Sequence, residues 1–195
     1  VFLFAALISY WLFLRAGWPI AIIAITGLLI GFLYTAGPYP LSYIGLGEFF
    51  VFLFFGPIAV AGTYYVQSFE INLAVILAGG ITGFLSMAIL VVNNLRDIET
   101  DKQAQKRTLA VRFGENFARC EYFFCVVAAC LLPIVIYLTT QDHLKILFAP
   151  ILLLLACPAM RRVFQEEGAS LNNALAFTGI FLIICTLVFS VGWIL

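Results

Sequence analysis

Charge is what this chain has least of. Only 10% of its 195 residues are Asp, Glu, Lys or Arg, and ten basic residues balance ten acidic ones. Ordinary soluble domains carry about 25% charged residues. With 64% hydrophobic residues, a chain this short would expose a large oily surface in water, so its solvent must be lipid. The zero net charge leaves no basic face to neutralise phosphates in series, which excludes nucleic acid as a partner. A single histidine, His143, reads as a surface residue in a short connector. The five cysteines (Cys120, Cys125, Cys130, Cys157, Cys185) lack metal-ligand or paired spacing and read as small buried apolar residues. No Gly-rich run precedes Lys-Ser or Lys-Thr, so there is no P-loop. Nor is there any β alternation.

What is present is a series of apolar runs. A membrane-crossing helix needs about 20 mostly apolar residues, and seven segments approach that length. They are Val1 to Leu14, Trp18 to Tyr34, Phe49 to Val66, Leu73 to Val92, Phe117 to Thr139, Leu144 to Met160 and Asn173 to Leu195. The expected fold is all-α: a polytopic transmembrane bundle forming one domain over residues 1–195. Val1 is already deep in a hydrophobic run with no basic segment before it. It therefore does not read as a signal peptide, and the natural protein is expected to begin earlier.

If the helices alternate in direction, one face collects Arg96, Lys102, Lys106, Arg107, Arg112, Arg119, Arg161 and Arg162. The other receives only Arg15 and Lys145. The positive-inside rule makes the richer face cytoplasmic. A Gly- and Pro-containing connector, Gly37 to Glu48, falls on the same face. It reads either as a simple turn or as the lining of a substrate entrance.

The charges themselves are clustered. Nine of them (Arg96, Asp97, Glu99, Asp101, Lys102, Lys106, Arg107, Arg112, Glu115) fall between Asn93 and Asn116. If the fourth helix continues past Val92, Asn93, Asp97 and Asp101 stand four residues apart on one face. Two carboxylates at that spacing repel, more strongly near a membrane, and a bridging cation reverses the sign. Oxygen ligands without His or Cys suit a hard ion, Mg²⁺. Lys102, Lys106, Arg107 and Arg112 follow and could hold a diphosphate. The cluster thus reads as a metal-diphosphate site for a substrate with a charged head and an oily tail. The alternative is a solvated loop in which Asp97 or Glu99 pairs with Arg96 or Lys102.

The wording of the cluster adds to its spacing. Asn93-Asn94-Leu95-Arg96-Asp97-Ile98-Glu99-Thr100-Asp101, then Lys106-Arg107-Thr108-Leu109-Ala110-Val111-Arg112-Phe113-Gly114, resembles the second aspartate-rich motif of UbiA-type intramembrane prenyltransferases. Tyr34 to Leu41, Gly45 to Glu48 and Gly56 to Tyr65 are similar to the branch of that family that prenylates 1,4-dihydroxy-2-naphthoate for menaquinone and phylloquinone. The resemblance implies an integral inner-membrane enzyme with its site on the cytoplasmic side, and nine helices. Two of these, with a first motif of the form Asn-x3-Asp-x3-Asp, would precede Val1. It further implies that Asp97 and Asp101 bind Mg²⁺ and that Asn93 orients the metal or its water. Lys102, Lys106, Arg107, Arg112 and Asn94 would contact substrate.

By the same implication, a prenyl diphosphate ionises, an aromatic acceptor attacks the allylic cation, and the ring carboxylate leaves as CO₂. Gln105 departs from the family, which usually has glycine there. Sister enzymes use other rings, such as 4-hydroxybenzoate. A transporter is the reading from another class. It would be expected to carry charges within its spans, and the runs Val51–Val66 and Phe177–Leu195 contain none. Tyr64 and Tyr65 fall toward the opposite face and read as packing residues.

Overall fold

Each of the seven apolar segments is helical in the computed structural model, which describes residues 2–37 and 40–195. Val1, where the first run was expected to start, lies outside the described residues. So do Pro38 and Tyr39 of the Gly-Pro connector. The helices are α1 (Phe2–Ala16), α2 (Trp18–Thr35), α3 (Gly47–Phe55), α4 (Pro57–Ser68), α5 (Leu73–Arg96), α6 (Ile98–Gln103), α7 (Leu109–Phe113), α8 (Glu115–Thr140), α9 (Leu153–Gln165) and α10 (Asn172–Ile194). Tight 3₁₀ segments, Leu144–Leu152 and Gly168–Leu171, lead into α9 and α10. No strand occurs among the described residues. Six stretches are long and apolar enough to cross a membrane: 18–35, 47–68, 73–96, 115–140, 144–165 and 168–194. The 15-residue α1 is shorter.

The bundle is built around α5 and α8. Leu85, Ala88, Val91 and Val92 of α5 meet Tyr122, Cys125, Val126 and Ala129 of α8, all but closed to solvent. Phe181 and Cys185 of α10 close the core from a third side. Polar contacts inside it run from the Tyr122 hydroxyl to Thr178 Oγ1 at 3.0 Å and from Thr178 Oγ1 to the Ala174 carbonyl at 2.7 Å. By contrast, α1 and α2 are exposed over most of their length. A uniformly apolar helix with an exposed surface requires lipid around it.

The third span breaks at Gly56-Pro57, where Pro57 opens α4 and Gly56 adopts φ −120°, ψ −112°. The break packs backbone to backbone on α5. A Cβ on Gly56 would fall 2.6 Å from Gly83 Cα, and one on Gly79 would fall 2.7 Å from Pro57 Cα. Glycines four residues apart that let two helices touch are a recurrent way of joining spans where lipid supplies no hydrophobic drive.

Alternation of direction is visible in the contacts between helix ends. At one end, Arg96 of α5 reaches Asn172 at the start of α10, and Arg119 of α8 reaches Glu167. At the other, Arg15 bonds the Val66 carbonyl and Lys145 bonds the Leu195 carbonyl. All five cysteines are free. Cys125, Cys130 and Cys185 are buried as expected, whereas Cys120 and Cys157 lie on the outer surface.

Candidate functional site

The polar cluster caps the end of α5. The helix ends at Arg96, the backbone turns at Asp97 (φ −97°, ψ 12°), and α6 resumes at Ile98. Helical hydrogen bonding still carries through: Asp97 N donates to Asn93 O at 3.1 Å and Asp101 N to Asp97 O at 2.8 Å. Asn93, Asp97 and Asp101 are therefore successive turns of one staircase, as their spacing predicts.

Each carboxylate already faces a cation. Arg96 grips both oxygens of Asp97 at 2.7 Å and donates to Asn93 Oδ1 and Asn172 Oδ1 at 2.8 Å. That hydrogen bonding holds the Asp97 carboxyl below its usual range; partial desolvation opposes the effect, and the charges of Arg96 and Lys106 assist it. Asp101, 8% exposed, receives Lys106 Nζ at 3.1 and 3.2 Å. Lys102 sits apart on the surface, paired with Glu99 at 2.6 Å. Pairing inside the cluster, Arg96 with Asp97 and Glu99 with Lys102, is thus present beside the staircase.

The remaining basic residues shape the cluster. Arg107 has an exposed side chain, but its backbone N–H donates to Tyr43 O at 2.8 Å. Arg112 spreads its guanidinium over two carbonyls, Arg107 at 3.0 Å and Ile44 at 2.8 Å. These bonds fasten the described part of the connector, residues 40–46, to the polar cluster. Gly45 makes the junction possible: its φ is +76°, and a Cβ there would sit 3.0 Å from Arg107 O. Thr108 caps α7 by accepting from Val111 N, and Gln105 takes a left-handed φ of 57° at the turn before Lys106. Glycine adopts that φ without strain, which explains physically why a family would favour it there.

Two acids not predicted as site residues lie behind the staircase. Glu48, in the first turn of α3, is 2% exposed and accepts from Asn94 Nδ2 at 2.7 Å. Lys106 and Glu121 of α8 are within Coulombic reach of it. Glu48 closed the connector in the sequence, but nothing in its local wording marked its burial. An isolated acid opening an otherwise apolar run was the available signal. Tyr64 lines a cleft with Trp193 at the opposite end. His143 is partly exposed in its connector, as expected, and its ring stacks on Trp193, with centroids 4.0 Å apart.

Asn93, Asp97 and Asp101 offer oxygen donors only, matching the preference of a hard divalent ion. Mg²⁺ typically takes one or two carboxylates and leaves positions for phosphate oxygens. The donors fit such an ion, which would compete with Arg96 and Lys106 for them. Among the described residues, no three His, Cys, Asp or Glu side chains converge as a metal cluster, so the staircase offers two carboxylates and one amide.

Residues 1–183 match the UbiA prenyltransferase family. The chain is 40% identical over 176 residues to a 1,4-dihydroxy-2-naphthoate octaprenyltransferase of Mycobacterium tuberculosis, covering 89% of this chain and 59% of that protein. It is 35% identical over 172 residues to the enzyme of the same name from Haemophilus influenzae, covering 87% and 56%. A 2-carboxy-1,4-naphthoquinone phytyltransferase of Synechocystis is 30% identical over 97 residues, covering 50% and 32%. The chain spans a little under three fifths of the length of the first two.

Proposed function

Because the chain belongs to the UbiA prenyltransferase family, we propose that the protein transfers a prenyl group from a prenyl diphosphate to 1,4-dihydroxy-2-naphthoate, in quinone biosynthesis. Relatives that carry this activity in their names support the acceptor. The single observation that carries the placement of the chemistry is the staircase of Asn93, Asp97 and Asp101, with Lys106 beside it, at the end of an apolar bundle. Such a site suits a substrate whose head is a diphosphate and whose tail belongs in lipid. The eight basic residues gathered at that end argue that it faces the cytoplasm.

Asp97 and Asp101, assisted by Asn93, would hold Mg²⁺, whose contribution when bound is to neutralise diphosphate charge as a Lewis acid. Lys106, whose ammonium lies against Asp101, would meet the departing diphosphate. Lys102 and Arg107 are exposed at the rim and add positive charge for the same group. As the allylic C–O bond breaks, its electron pair leaves with the diphosphate. The apolar bundle excludes the water that would trap the allylic cation. The electron-rich ring then forms the new C–C bond and loses its carboxylate as CO₂. Arg112, engaged with two carbonyls, holds the connector in place beside this chemistry.

The test is prenylation of dihydroxynaphthoate in membranes by wild type, Asp97→Asn and Asp101→Asn over a Mg²⁺ titration. Loss of turnover in both variants, with a raised Mg²⁺ requirement for any residue of activity, is expected. Undiminished turnover in both would sink the metal role. Turnover of 4-hydroxybenzoate but not of dihydroxynaphthoate would move the protein to a sister branch.

A further inference from the structure

About one turn back from Asp97, two adjoining buried oxygens have no partner. Glu48 Oε1 takes the Asn94 amide hydrogen at 2.7 Å, but Glu48 Oε2 and Asn94 Oδ1 receive nothing. Both residues are 98% shielded from solvent. A buried acceptor without a donor is costly, and here two such acceptors stand together. Lys106 reaches Glu48 through its charge but gives it no hydrogen bond, since its Nζ is bonded to Asp101, and Glu121 adds a further acid. What this pair lacks is a hydrogen-bond donor. A neutral donor suits the pair better than a further cation, because Lys106 already brings positive charge within Coulombic reach of Glu48.

The surroundings describe the body that would bear the donor. Glu48 opens α3, and the Tyr34 hydroxyl of α2 lies 3.1 Å from the point where a Cβ on the preceding Gly47 would stand. Tyr34 also forms one end of an open apolar cleft of about 530 Å³ between α2 and α3, lined by Ile30, Phe50 and Phe54. A flat apolar ring carrying a hydroxyl fits both features.

We propose that Glu48 and Asn94 are positioning residues that receive a ring hydroxyl of the aromatic acceptor. The hydroxyl donates into the Glu48 Oε2–Asn94 Oδ1 pair. A donor hydrogen bond to a carboxylate raises electron density at the ring carbons ortho and para to that hydroxyl, which favours attack on the allylic cation. Both oxygens are closed to solvent, so the ring would reach them from the apolar cleft beside Tyr34. This inference rests on the prenyl-transfer reading.

The experiment is steady-state kinetics of the membrane-embedded protein, varying acceptor at saturating prenyl diphosphate and then the reverse. Glu48→Gln and Asn94→Ala are expected to raise the acceptor KM about tenfold or more, leaving the diphosphate KM within about twofold. An unchanged acceptor KM in Glu48→Gln overturns the proposal, as does an equal rise in both KM values. Should the variants fail to accumulate, wild type decides. A naphthol inhibitor is expected to bind at least about tenfold more tightly than its methyl ether, and equal inhibition overturns the contact. Wild type that prenylates a different hydroxylated ring removes dihydroxynaphthoate and leaves the contact standing. Transfer to no ring removes both.

Discussion

The two ends of the bundle are made by the same apolar helices and finished in different ways. At the polar-cluster end, side chains cross between elements far apart in sequence: Arg96 to Asn172, Asn94 to Glu48, Arg112 to Ile44. At the other end the ties are mostly local caps, with Asn72 accepting from Val75 N and Asp142 from His143 N. The long-range ties there, Arg15 to Val66 and Lys145 to Leu195, each use one donor on one carbonyl. Helix ends in water need only have their orphan groups satisfied. The extra cross-links at the polar end hold charged groups in fixed relation, which suits a reaction site.

The largest expected difference between the ends is in turnover. Asp101→Asn should cut prenyl transfer about a hundredfold or more, whereas Asp142→Asn, at the far end, should leave it within about twofold. Equal losses would erase the distinction. Next comes stability. Arg96→Met breaks the contacts to Asn93, Asp97 and Asn172 together and should lower the melting temperature in detergent by roughly 4 °C or more, against about 1 °C for Lys145→Met.

That difference depends on pH with a definite sign. Arg96 depresses the Asp97 carboxyl below its ordinary 3.8. The pairing therefore stabilises fully above pH 3.8 and fades as pH falls through the lower folded value. Melting curves of wild type and Arg96→Met should converge on acidification below pH 3.8.

A smaller effect is expected from Arg112→Met, which frees the connector from Ile44 and Arg107. Amide hydrogen exchange at residues 41–46 should accelerate, with a melting shift of about 2 °C. The smallest compares two left-handed residues, Gln105 (φ 57°) and His143 (φ 57°). Gln105→Gly should stabilise by about 0.5–1 kcal/mol by relieving strain. His143→Gly relieves the same strain but loses the stack on Trp193, so it should give no gain.

Much of this was legible in the sequence for physical reasons. Lipid demands long apolar helices, so the seven segments stand out, and alternation sorted Arg15 and Lys145 from the other basic residues as the contacts do. The Asn93–Asp97–Asp101 spacing survived because backbone bonds continue through the turn at Asp97, although α5 itself ends one residue earlier. The Asn94–Glu48 contact was hidden, since its partners are 46 residues apart and periodicity reports only a residue's own helix. The commitment of Arg112 to backbone carbonyls was hidden for the same reason. A basic residue near acids looks like an anion ligand until its actual partners are seen.

The glycine seam at Gly56, Gly79 and Gly83 has a mechanical consequence. Where backbone rests on backbone, no side chain can yield, so any tilt of α3 against α5 would pivot at that point. Glu48 lies eight residues from Gly56, a lever arm of about 12 Å at 1.5 Å per residue. A tilt of about 5° at the seam moves the Glu48 end by about 1 Å, with the arm length taken from helical rise.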